Sequence, residues 1–239
     1  MNNFIKFFLY FFKLPKYFIQ FFYFFKINTH QEKYVLKPML FDVKTKEPFD
    51  PHYLYHTSWA CRILANTKPQ IHYDFSSDLR FVTMISAFIK TVQYNLSIPT
   101  IKLSNLEFRS ADLTNMSNIK SNSLKSVSCM HVVEHIGLGR YGENINPDGD
   151  KKAIKELIRI LEPNGDLLFV TPVGKPKIFF NAHRVYAYDD IITYFKDFSL
   201  KEISFIGDNG FYTGLEMFPE IKIINNSNYG CGCFWFKKL

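Results

Sequence analysis

His131-x-x-Glu134-His135 is the densest run of chemistry-capable side chains in the sequence. Two imidazoles beside a carboxylate suit proton transfer, because histidine titrates near neutrality and a carboxylate can orient its ring. The same letters fit an inverted zincin motif, in which two histidines bind zinc and a glutamate acts as base. That chemistry needs a helix, so that both rings share a face. Val127, Val132 and Val133 before Gly137 read instead as a strand end and a loop. In an extended chain, positions 131 and 135 stand about 13 Å apart. Cys231-Gly-Cys233 is half a metal site at best, with no second pair at ligand spacing from it. No metal is therefore assigned, and Cys61, Cys129, Cys231 and Cys233 read as buried free thiols of a reducing compartment.

Around that run stand further polar candidates. Glu134 and His135 either order the loop by hydrogen bonding or, with His183 as an alternative, take a proton from a substrate hydroxyl. Arg140 and Arg184 suit an anionic substrate group. Asp148 and Asp150 lie in a Gly-Pro-rich loop, where turn formation and a helix cap on Asp150 account for them, or where a divalent cation bridging phosphates would.

These residues need a scaffold, and the chain from residue 70 onward alternates strand and helix patterns, which predicts a doubly wound α/β sheet. Strands are expected over 70–75, 91–96, 107–111, 125–133, 167–171, 200–206 and 231–236, seven in all. The last two lack an obvious crossover helix and can pair antiparallel. Helices are expected over 78–89, after Asp150 and over 188–195. In open sheets of this kind the ligand lies beyond the carboxyl ends of the strands, at the switch point. Asp74–Asp78, Asn95, Asp112, His131–His135 and Thr171–Pro172 would then rim one crevice.

The block from Ser128 to Gly142, with Asp148-Gly-Asp-Lys-Lys-Ala153, Leu168–Gly174 and Asn181-Ala-His183-Arg184-Val-Tyr186, resembles the domain-of-unknown-function family numbered 268. The resemblance covers residues 60–236 and implies a Rossmann-like class I methyltransferase domain, with S-adenosylmethionine as cofactor. It further implies a sugar, sugar-nucleotide or surface-glycan precursor as methyl acceptor. On that pattern Asp74, Ser76, Asn95, Asp112 and His131 surround the cofactor, Glu134, His135 and His183 are catalytic, and Arg140, Tyr141, Asp148, Asn181 and Arg184 hold substrate. Two positions depart from the pattern. Ser76 stands where the first turn wants glycine, and a β-carbon there resists left-handed geometry at a cost of about 1 kcal/mol. Asn95 replaces an acid, forgoing a charge-assisted bond to the ribose. A methyltransferase-like scaffold without catalysis is the alternative that these two departures motivate.

The N-terminus has another character. Of 26 Phe and 14 Tyr in 239 residues, thirteen lie between Phe4 and Phe25, and Lys6, Lys13, Lys16 and Lys26 supply +4 of the net +7. The body is therefore nearly neutral, and its aromatics alternate with no basic stripe, so nucleic acid is not an expected partner. Residues 1–30 read as an amphipathic segment broken near Pro15, lying in the interface of an anionic membrane. Lys13 and Lys16 exclude a spanning helix, and no cleavage site follows. The expected organisation is this segment, a connection over 31–59 and a domain over 60–239. The expected location is cytoplasmic, peripheral to the inner membrane. Oligomeric state is not legible.

Overall fold

The computed structural model describes residues 3–28, 34–40, 49–210 and 219–239. The chain forms two compact units, Met1–Phe49 and Asp50–Leu239. In the first, helix α1 (Asn3–Ile27) runs through Pro15 rather than breaking there. Proline forfeits one backbone hydrogen bond, which a helix of 25 residues absorbs. Phe12, Ile19, Phe22, Tyr23 and Phe25 are each more than half exposed, whereas the ring of Tyr34 meets Phe21, Phe24 and Phe25. The side chains of Phe4, Lys6, Phe7, Phe8 and Phe11 lie outside the described residues, as do positions 31–33 and 41–48 of the expected connection. No helix among the described residues is long and apolar enough to cross a membrane.

The second unit begins where a connection was expected. Helix α2 (Pro51–Thr67) starts on Asp50, whose side chain accepts from the amides of His52 and Tyr53, and Pro51 fills its first turn. His56, Trp59, Ala60, Ile63 and Leu64 form its buried stripe. The unit boundary therefore falls ten residues ahead of the expected position 60.

Seven strands form one sheet: β1 (Ile71–Phe75), β2 (Lys90–Asn95), β3 (Leu106–Ser110), β4 (Leu124–Met130), β5 (Leu161–Val173), β8 (Phe198–Ile206) and β9 (Gly230–Lys238). Their order is β3-β2-β1-β4-β5-β9-β8. The first five are parallel, and β9 lies antiparallel to both β5 and β8. This is the expected doubly wound sheet, with the antiparallel pairing at the end that lacked a crossover. The chain steps outward from β1 to β3 and restarts at β4, so the switch point lies between β1 and β4.

Helices cover both faces. Alternate residues of β9 go to opposite sides, as a period of two requires. Phe234 and Phe236 pack with Leu157 of α4 (Gly149–Ile160) and Phe195 after α5 (Tyr188–Tyr194), while Cys231 and Cys233 face Ile63 of α2 and Phe81 of α3 (Leu79–Ile85). A hairpin of β6 (Lys177–Phe179) and β7 (His183–Val185) adds to the expected elements, and a short helix α6 (Ile221–Asn226) precedes β9.

Candidate functional site

At the switch point the turn after β1 is held by a buried polar knot. Asp74 is fully buried, and its Oδ1 accepts from Ser77 N at 3.0 Å and from Gln93 Nε2 at 2.7 Å. Its Oδ2 accepts from Ser128 Oγ at 2.5 Å. Burial raises the Asp74 pKa against the pull of these bonds. Both oxygens are thus engaged internally, so Asp74 shapes the turn. Ser76, exposed at its crest, has φ +57°, the left-handed geometry that glycine usually supplies. Its amide and its hydroxyl both donate to Tyr94 O, at 3.0 and 3.1 Å, which offsets part of the strain. The serine adopts the turn rather than preventing it.

Asn95, at the end of β2, is half-buried, and its carbonyl accepts from Ala111 N. Asp112 is exposed, and its Oδ1 accepts from the amide and hydroxyl of Thr114 in a local turn. Both stand at the carboxyl ends of their strands, as expected.

Beyond β4 the chain makes a single 3-10 turn, Val133–His135, neither the strand nor the long helix that the motif allowed. Glu134 is buried beneath it. Its Oε1 accepts from His131 Nδ1 at 2.8 Å and lies 3.8 Å from His135 Nε2. Its Oε2 has no partner. Glu134 therefore sits between the two histidines, an arrangement unlike the zincin one, in which both rings meet at a metal. Burial opposes charge on His131, yet the Cys231 sulfur and Glu134, on its two nitrogens, outweigh that and raise its pKa.

His135 Nδ1 donates to Ala182 O at 2.6 Å, and Arg140 Nη1 donates to the same carbonyl at 3.2 Å. His183, on β7, packs against Phe179, Tyr229 and more distantly His135. Burial, then His135, lowers its pKa, and its Nε2 is buried without a partner. Arg140, Tyr141, Asp148 and Asn181 are exposed along the rim. Gly137 lets the loop close, because a β-carbon there would lie 2.1 Å from Asn146 O.

Two expectations are corrected. Arg184 is buried, with Nη1 donating to Ile136 O at 2.8 Å and to Glu134 O at 3.4 Å, and Nη2 to Pro147 O at 3.3 Å. It clamps loop backbone from within and presents nothing to a substrate. Asp150 does not cap α4, because it lies one residue inside it and is buried 3.5 Å from Arg184 Nε, with Tyr186 Oη donating at 3.0 Å. Asp148 holds the cap position but makes no side-chain cap bond, its Oδ1 taking Lys151 Nζ at 2.8 Å instead.

Sequence reasoning missed half of this cluster. His52, Tyr53 and His56 of α2 bring their rings to 5.7, 5.4 and 5.0 Å from that of His131. Tyr229 stacks on His52 at 5.2 Å. Cys231 Sγ lies 3.3 Å from His131 Nε2. Burial lowers the pKa of His52 to about 4 and of His56 to about 3 and raises Tyr229 to about 12. Five of the seven histidines thus gather at one end of the sheet. The Asp50-Pro51 start of α2 was the one signal that could have placed two of them.

The strand order and the crevice beyond β1 and β4 define a class I methyltransferase fold. A family model described as "Caenorhabditis protein of unknown function, DUF268" matches residues 77–205, and the chain belongs to this family. No curated protein sequence matches it. Solved structures confirm the fold. The 1,6-didemethyltoxoflavin-N1-methyltransferase of Burkholderia thailandensis, with S-adenosylhomocysteine bound, has a TM-score of 0.55 at 11% identity, over 77% of this chain and 79% of its own. The N-methyltransferase NodS of Bradyrhizobium japonicum, also with S-adenosylhomocysteine, gives 0.53 at 11% identity, over 79% and 87%. The [4+2]-cyclase SpnF gives 0.51 at 12% identity, over 75% and 80%. Identities this low speak for the fold alone, and the cyclase shows that the fold hosts other reactions.

Proposed function

We propose that the protein is an S-adenosylmethionine-dependent methyltransferase acting on an oxygen of a saccharide or related surface-glycan precursor. The observation that supports it is the turn after β1: Ser76 holds left-handed geometry at the switch point although it is not glycine. On this reading the cofactor supplies an electrophilic methyl group on a sulfonium. The backbone at Ser76–Ser77 cradles it, the Asn95 amide offers hydrogen bonds to its ribose, and Asp112 and His131 stand at the adjoining strand ends. His183 Nε2, neutral and without a partner, takes the proton that the acceptor hydroxyl loses. Glu134 and His135 position that end of the site, and Arg140, Tyr141, Asp148 and Asn181 meet the acceptor from the rim.

Calorimetry with S-adenosylmethionine and S-adenosylhomocysteine tests this directly. Both are expected to bind, and Ser76→Gly is expected to tighten binding several-fold by removing the β-carbon where the backbone must approach the methionine part. If neither wild type nor Ser76→Gly gives heat or a thermal shift at millimolar ligand, the enzyme reading is retired. The non-catalytic scaffold that Ser76 and Asn95 motivate would then replace it.

The exposed aromatics of α1, with Lys16 and Lys26 also exposed, support a second element of the reading. The helix lies in the interface of an anionic membrane, aromatics at headgroup depth and lysines toward phosphates. The full chain is expected to pellet with anionic vesicles, weakly with neutral ones, and less as salt rises. Equal pelleting of a protein lacking residues 1–27 would rule this out.

A further inference from the structure

We propose that His52, His131 and Cys231 form a binding site for a thiophilic transition metal of the zinc type, with one coordination position left open. The three donor atoms come from the start of α2, the end of β4 and the start of β9, and all lie within 4.8 Å of one another. A tetrahedral zinc with nitrogen and sulfur ligands holds its donors about 3.3–3.8 Å apart. The separation of 3.3 Å between His131 Nε2 and Cys231 Sγ already meets this. His52 is half-exposed at a helix end, where rotation of its ring closes the remaining gap of about 1.5 Å or less.

The surroundings match what a bound metal requires of its ligands. His131 Nδ1 donates to buried Glu134, so a metal that replaces the Nε2 proton meets Nε2 and Cys231 Sγ on the same side of the ring. A carboxylate behind a histidine is the arrangement that fixes tautomer and ring orientation in metal sites. His56 repeats the pattern. Its Nδ1 donates to His52 O at 2.6 Å, so its Nε2 carries a lone pair, and that atom is buried without a partner, in a ring packed on His131. That ring buttresses His131, while the donors of His52, His131 and Cys231 converge where a cation can satisfy them together. Cys233 Sγ stands 4.0 Å from Cys231 Sγ and is a further neighbouring donor. Two imidazoles and a thiolate select zinc-like metals over magnesium or calcium, which take oxygen. Three protein ligands with one open position is the pattern of sites that bind a water or substrate atom.

The inference does not depend on methyl transfer, and its test reads the metal itself. The full chain, purified under reducing conditions without chelator, is expected to carry about one zinc per molecule. Titration of the stripped protein with cobalt(II) is expected to give a thiolate-to-metal charge-transfer band with tetrahedral visible absorption. Cys231→Ser is expected to abolish the band and Cys61→Ser to leave it intact. His52→Ala alters a half-exposed helix end rather than the core, so it keeps the test open should the Cys231 variant not fold. It is expected to weaken metal affinity at least tenfold. Absence of both zinc and a cobalt band in the wild type would leave only a thiol–imidazole hydrogen bond and overturn the site. So would a band that survives Cys231→Ser.

Discussion

Arg184→Ala is expected to destabilise the protein by about 3–5 kcal/mol, the usual consequence of stripping one partner from a buried ion pair. Arg184 and Asp150 have side chains only 6% and 4% exposed. Without the guanidinium, the Asp150 carboxylate keeps Tyr186 Oη alone, and the carbonyls of Ile136, Glu134 and Pro147 lose their donor. For a domain of this size, each kcal/mol moves the melting temperature by about 2–4 °C, so a fall of about 6–20 °C is expected. Lysine should rescue poorly, since one ammonium cannot reproduce a fork that serves three carbonyls and a carboxylate. Arg184→Met with Asp150→Leu should recover part of the loss by removing both charges. The measurement also separates two roles: a substrate-binding arginine on the rim would lose activity on truncation while melting within a degree or two of wild type.

That contrast shows where sequence reasoning reaches its limit. Arg140 and Arg184 look alike in the sequence, one after a Gly-rich loop and one after histidine. Only the fold shows that Arg140 is exposed while Arg184 is enclosed by the loop it clamps. The sheet was legible because its inner parallel strands β1, β2 and β4 are largely buried, although the edge strand β3 is mostly exposed. Lys125–Val133 carries Val127, Cys129, Met130, Val132 and Val133 with only small Ser126 and Ser128 between them up to Met130, and each expected strand corresponds to one in the sheet. The β6–β7 hairpin was not legible, because strands of three residues leave no period to detect. Helix α2 was legible in principle from Asp50-Pro51 and the spacing of His56, Trp59, Ala60, Ile63 and Leu64. The neighbouring prolines at 38 and 48 made the segment read as a connection instead.

The site divided in the same way. His131, Glu134 and His135 are neighbours in sequence, and a local motif exposes them. Cys231 is a hundred residues from the His131 it touches, and His52 reaches the same place from a helix that precedes the sheet. Convergence of this kind follows from strand order, through the insertion of β9 beside β5, and no spacing rule encodes it. Ser76 shows the opposite lesson. The sequence marks it as an obstacle to the turn, whereas the hydrogen bonds to Tyr94 O show how the turn forms around it.

Acid should weaken the fold through His72, a residue outside every candidate role. His72 is fully buried on β1, with Nδ1 2.8 Å from Ser126 Oγ and Nε2 2.8 Å from Ser128 Oγ. Ser128 gives its hydroxyl proton to Asp74, so it must accept from His72 Nε2–H, and Nδ1 in turn accepts from Ser126. The neutral ring is fully satisfied. Burial then holds its pKa down at about 3, against 6.5 in the ordinary state. Between these values the unfolded chain binds a proton that the folded chain refuses, so stability rises with pH across this window and falls on acidification. The slope is about 1.4 kcal/mol per pH unit, or about 3 kcal/mol lost between pH 6.5 and 4. Carboxylates add their own slopes, so the informative quantity is the difference between wild type and His72→Gln, whose amide can still bond both serines but does not titrate. Urea unfolding at a series of pH values is expected to give a wild-type curve steeper than the variant's by that amount. Parallel curves would mean that the folded protein accommodates a charged His72, and that Asp74, one hydroxyl away, stabilises it.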